Sequence, residues 1–259
     1  MARAALACCA LLAGCGLRLS PPRMDNARAV QSPIESWSNL LSQRLDAQGR
    51  VDFDGLRKEP ADLHNFLSYV ATFSPESDPD RFPSAASRMA YYLNAYNAMA
   101  LYVVIDSEIR PADRKAFYAR SKLMVGGSLL SLSDLEDALA ELKDSRLWFA
   151  ASGAARGYPR LAATPYAAAK IEEQLDQAAR AFLNDPAHVH LDKARKRARV
   201  SELLKWRRAV FQDRSASLLA YVNRFRDDKL PENYKVEFLP FDWELREQKP
   251  DPQAKNPAN

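Results

Sequence analysis

The stretch from Ser87 to Ile105 constrains this chain more than any other. Met89, Tyr92, Leu93, Tyr96, Met99, Ala100 and Val103 recur in it at helical spacing over about five turns. That pattern predicts a central, mostly buried helix around which everything else must pack. Asn94 and Asn97 stand three apart within it, neighbours on one helix face. Asparagine is a poor helix-interior residue unless its amide is used. The spacing predicts that both amides bond buried loop backbone, with direct ligand contact as the other open reading.

The remaining periodicities supply elements to cover that helix. Trp37, Leu40, Leu41 and Leu45 predict a first helix, and Leu63, Phe66, Leu67 and Val70 a second near 60–73. Gly49 to Phe53 reads as a turn and a short extended piece. Residues 123–130 read as two short strands about Gly126-Gly127, and Ser133 with Glu136 three positions later as a capping box opening a helix to about Lys143. Pro165 predicts the start of a long helix through Ile171, Leu175, Ala178, Ala179 and Phe182. His188 to Leu191 and Arg197 to Val200 read as paired strands, followed by helices over 201–211 and 218–225 and a last strand over 236–243. The fold class expected is therefore α+β: one helix-rich domain over 34–247 around a central buried helix, with short antiparallel strands.

Only 8 glycines in 259 residues argue against a turn-rich β-sandwich, and a formal charge of +4 is too balanced for a nucleic-acid-coating protein. Cysteine placement is more telling. Cys8, Cys9 and Cys15 are the only three and all fall in the first fifteen residues, so the body of the chain has neither a thiol nucleophile nor a disulfide framework. Arg3, the apolar run Ala4–Leu12 and the small residues Ala13 and Gly14 read as an export signal over 1–14, too short to span a bilayer. Leu12-Ala13-Gly14-Cys15 resembles the bacterial lipobox, which implies cleavage before a diacylglyceryl-modified Cys15 and stable anchoring by several acyl chains. Gly16 is not the Asp that marks inner-membrane retention, so a periplasm-facing domain on the outer membrane is expected. Residues 15–33 read as a tether and 248–259 as a disordered polar tail.

With these elements placed, the chain resembles the bacterial DUF547 family from about Gly49 to Trp243. Its marks are Arg50-Val51-Asp52-Phe53; Ala90 to Ala98, similar to the family phrase AFWINAYNA; Gly126-Gly127 leading to Ser131–Glu136; Trp206; and Phe241-Asp242-Trp243. The resemblance implies a papain-like or transglutaminase-like arrangement, in which a cysteine meets a histidine base. Here that pair is replaced. The family's histidine position is Asp137, and a phrase similar to HFALNCASxSCP becomes residues 148–159, with Gly153 and Tyr158 where the cysteines would stand. The resemblance thus implies a degenerate groove formed by Asn94, Asn97, Asp137, Ser152, Gly153, Arg156 and Tyr158.

Other chemistries have little material. Ser152 lacks a nucleophile-elbow context, and His64, His188 and His190 are the only histidines. No cofactor or metal site is expected. Glu136 and Asp137 point about 100° apart on a helix and read as capping and dipole charges. Lys193, Arg195, Lys196, Arg197 and Arg199, followed by Lys205, Arg207 and Arg208, read as a solvated hairpin tip and helix face, or as a contact for an anionic surface. An exported chain meets no cytosolic nucleic acid. Together these point to a lipid-anchored envelope protein whose domain binds a partner or ligand without catalysis; the alternative is a thiol-free hydrolase or acyltransferase. Tyr158 is expected to fill the vacated space against the 87–105 helix, its hydroxyl on Asn94 or Asn97.

Overall fold

Ser32 caps the first helix, α1 (Pro33–Arg44), in a reciprocal box with Glu35, and Pro33 takes the first helical position. The helix thus starts inside the expected tether. The computed structural model describes residues 32–249 apart from residue 214; the expected signal, Cys15, most of the tether and the end of the tail lie outside the described residues. Val51 alone is extended, bridging Leu45 and Glu247, because Asp52 accepts from the Gly55 amide and opens α2 (Phe53–Lys58) where an extended piece was expected. α3 (Ala61–Thr72) then packs on α1, with Trp37 stacked on Phe66 at 5.4 Å.

α4 (Ala85–Ser107) is the hub. Every residue from Met89 to Val104 is buried, so this helix is covered on all sides rather than along one stripe. β1 (Lys122–Val125) and β2 (Ser128–Ser131) form an antiparallel hairpin around Gly126 and Gly127, whose φ angles of +54° and +85° suit glycine. The amides of both glycines donate to Val70 and Ala71 at the end of α3. α5 (Leu132–Glu141) follows at once. Its capping box is Ser131 with Asp134, two residues earlier than the Ser133–Glu136 reading, which frees Glu136 for another role.

α6 (Ile171–Leu183) begins later than Pro165 predicts. Pro165 and Tyr166 stay outside it because their backbone is held by side chains, the Pro165 carbonyl by Gln174 and both polar groups of Tyr166 by Asn94. β3 (Val189–Asp192) and β4 (Arg197–Ser201) pair antiparallel. Ser201 accepts from the Leu203 amide to start α7 (Leu203–Trp206), and the expected single helix breaks at Arg207 before α8 (Arg208–Gln212). After α9 (Leu218–Asn223) comes β5 (Lys235–Leu239), shorter than expected, which pairs with β4 in parallel with Val200 opposite Phe238. The parallel pairing adds to the antiparallel pairs that the sequence predicts: the intervening helices carry the chain back to the end where β4 began. The architecture is an α+β domain about half helical, with two small sheets: the β1–β2 hairpin packs on α3 and α5, and β4 on α7.

Candidate functional site

The segment that carries the family-like substitutions follows a 3-10 turn over Ser145–Phe149, capped by Asp144. Asn97 grips it from α4. Its side-chain nitrogen donates to the Ala150 carbonyl at 3.2 Å, and its oxygen accepts from the Ser152 amide at 2.7 Å. Asn94, one turn away, instead holds Tyr166: its nitrogen donates to that carbonyl at 2.8 Å, and its oxygen accepts from the Tyr166 amide and from the Trp37 ring nitrogen. Both amides are spent on buried backbone or ring partners. The chain's far end completes the hold, with the Arg156 and Gly157 amides donating to Glu244 and Asp242 and the Arg246 amide donating to Ala154. Ala154 sits at φ +64°, a left-handed conformation that costs a non-glycine residue on the order of 1 kcal/mol.

Tyr158 turns back over Gly153. A Cβ placed on Gly153 would lie 2.8 to 2.9 Å from three atoms of the Tyr158 ring, closer than carbon atoms tolerate, so the ring occupies the space a side chain at 153 would need. A Cβ on Gly157 would collide likewise with the Phe241 ring. These glycines are there for close approach. The Tyr158 ring packs edge-on to Phe241 at 5.0 Å and lies 5.8 Å from Tyr118 and 6.4 Å from Trp243, joining a cluster that continues to Trp206. Tyr158 does reach α4, but its hydroxyl meets those of Tyr118 and Tyr96 rather than Asn94 or Asn97, whose amides are already occupied. Tyr118 in turn donates to the Gly153 carbonyl at 2.8 Å. Burial holds the Tyr158 hydroxyl well above the ordinary tyrosine range.

Beside this cluster lies a hollow of about 620 Å³, lined by Arg114, Tyr118, Ser133, Glu136, Tyr158 and Trp243 among others. Glu136 is its carboxylate, half-buried. It accepts from the Tyr96 hydroxyl at 3.0 Å and from the Arg207 guanidinium, and burial pushes its carboxyl up against the pull of Arg207. Glu136 is therefore no capping charge, and Arg207 no solvated one: its guanidinium lies 3.8 Å over the Trp148 ring. The sequence does carry a signal for Glu136, which falls on the apolar stripe Leu132, Leu135, Leu139 of α5.

The remaining expected groove residues do not converge there. Asp137 is exposed on α5, Ser152 is buried with its amide on Asn97, and Arg156 pairs with Glu244 at 2.6 Å. The histidines are elsewhere: His64 beside Tyr102, His188 stacked on Phe182 at 4.0 Å, and His190 exposed on β3. No group of three or more His, Cys, Asp or Glu residues is arranged to hold a metal ion among the described residues. Lys193, Arg195 and Lys196 are exposed at the β3–β4 turn, while Arg195 pairs with Asp192 and Arg197 with Glu237. None of the described helices is long and apolar enough to cross a membrane.

Residues 81–183, from the turn before α4 to the end of α6, match the family model described as "Protein of unknown function, DUF547". The chain contains a DUF547 domain. The DUF547 match includes both gripping asparagines, Glu136, Gly153 and Tyr158, and ends before Trp206, Phe241 and Trp243, which complete the aromatic cluster from outside it. No curated protein and no solved structure matches the chain.

Proposed function

We propose that the DUF547 domain of this protein is a non-catalytic binding module of the bacterial cell envelope, tethered through a lipid on Cys15. One observation carries the non-catalytic reading: the Tyr158 ring fills the space a reactive side chain at position 153 would occupy. A nucleophile needs room for a substrate carbonyl and a base within hydrogen-bond reach. Neither Ser152 nor any other residue of the 150–159 segment hydrogen-bonds a histidine among the described residues. Glu136 is the one acid lining the hollow, and its oxygens are taken by Tyr96 and Arg207. The hollow is left with an aromatic wall of Tyr118, Tyr158 and Trp243, suited to holding a partner or ligand.

The filled groove is tested by the Gly153→Cys/Asp137→His double variant with Tyr158 intact. No more than weak hydrolysis of a generic thiol-protease ester is expected, and efficient turnover would overturn the reading. Anchoring is tested separately: labelled fatty acid should enter the wild type in a bacterial host and not Cys15→Ser, and persistent labelling of that variant would remove Cys15 from the account.

A further inference from the structure

A second hollow, of about 320 Å³, shares no residue with the one beside Tyr158. Four guanidinium side chains line it: Arg50 after the α1 turn, Arg156 from the substituted segment, Arg160 just beyond it, and Arg246 from the chain's far end. The only carboxylates in the lining are Asp185 and Asp242. Bringing like charges together from separate stretches is costly unless something negative is shared among them.

Three of the four have carboxylate partners at hand. Arg160 pairs with Asp185 at 2.8 Å, while Arg156 and Arg50 pair with Glu244 and Asp46, which lie outside the lining. Arg246 forms no ion pair among the described residues. One of its terminal nitrogens donates to the carbonyls of Arg156 and Tyr158, and its Nε is shut away from solvent with no acceptor. A buried, unmatched guanidinium donor is expensive to leave so. Burial, reinforced by Arg160, lowers the Arg246 guanidinium to about 10. Next to it, buried His188 is kept neutral down to about 4, with Arg246 and Arg160 adding to the effect of burial and Asp185 opposing it.

We propose that this hollow binds the phosphate group of a small phosphomonoester, with Arg160 as its principal donor and Arg246, Arg156 and Arg50 supplying further positive charge. Planar guanidinium groups match the oxygens of phosphate in paired bonds, and a dianion competes better than a monocarboxylate for guanidinium groups already paired with Asp46, Glu244 and Asp185. The site is independent of the Tyr158 reading: it would stand if the neighbouring hollow proved catalytic, and its failure would leave that reading intact.

The test is titration of the full chain with inorganic phosphate at low ionic strength, followed by calorimetry and thermal melting, with acetate in parallel. Phosphate should bind saturably and raise the melting temperature, and acetate should do neither. Arg246 also holds backbone, so the decisive variant is Arg160→Gln, whose side chain is half exposed. It should melt within a few degrees of wild type yet bind phosphate about ten-fold more weakly or worse. Glycerol 3-phosphate and phosphatidate-containing vesicles then separate a soluble phosphomonoester from a lipid headgroup, and Arg160-dependent binding of either supports the site. Absence of saturable phosphate binding, equal binding of acetate, or unchanged affinity in Arg160→Gln would overturn it.

Discussion

The two hollows flanking the 153–158 segment differ in what dominates their walls. One has Tyr118, Tyr158 and Trp243 beside Arg114, Lys115 and Glu136; the other has four arginines, two aspartates and a buried histidine, with Phe241 reaching it from the aromatic cluster. Aromatic bulk satisfies itself by burying its own area, so Tyr158 can close the space above Gly153 without any outside group. Guanidinium groups cannot close a space that way, and Arg246 is left with a donor and no acceptor. A single stretch of backbone can thus be shut on one side by packing and kept receptive on the other by charge.

The largest expected effect lies on the aromatic side. Tyr158→Ala removes a ring packed against Phe241, Tyr118 and Trp243, and should lower stability by about 3 to 5 kcal/mol in urea denaturation. A loss below about 1 kcal/mol would mean the ring is not core. Next comes the hold from α4. Asn94→Ala strands the Trp37 ring N–H and both backbone groups of Tyr166, and should cost about 3 kcal/mol. Equal stability of the variant would place Tyr166 elsewhere.

The charged side is expected to give the comparison its pH dependence. Folded His188 stays neutral down to about 4, whereas the unfolded chain takes up that proton near 6.5. Between those values the unfolded state binds more protons, so the stabilisation is complete above pH 6.5 and is lost as pH falls toward 4, by about 2 to 3 kcal/mol. His188→Gln should flatten the fall in stability measured by urea denaturation across that range, while Tyr158→Ala should leave its slope unchanged. An unchanged slope in His188→Gln would assign the dependence to other groups.

Much of this fold is legible in the sequence where one periodicity dominates. The apolar spacing of α4, the diglycine hairpin and the β3–β4 pair each announce themselves locally. Boundaries fail where a distant side chain takes over backbone groups: Asn94 and Gln174 keep Tyr166 and Pro165 out of α6 although proline favours a helix start. Glu136 is misread because Ser131–Asp134 and Ser133–Glu136 both fit a capping box, and only packing against Tyr96 and Arg207 decides between them. Gly153 and Tyr158 are marked as a pair only by the family resemblance. Their contact, and the convergence of Arg50, Arg160 and Arg246, depend on chain crossings that no local pattern encodes.

Whether Tyr158 occupies the space of a side chain at 153 is tested most directly by a double-mutant cycle on those two positions. Gly153 does not have a left-handed backbone, so alanine there suffers only from crowding. With Tyr158 present, Gly153→Ala should cost about 1 to 3 kcal/mol, the range for overpacking. With Tyr158→Ala, the same substitution should be neutral or stabilise by up to about 1 kcal/mol through the stiffer unfolded chain. That change of sign is the predicted result. An equal cost of Gly153→Ala in both backgrounds would contradict the account, because the ring would then not be what fills the site.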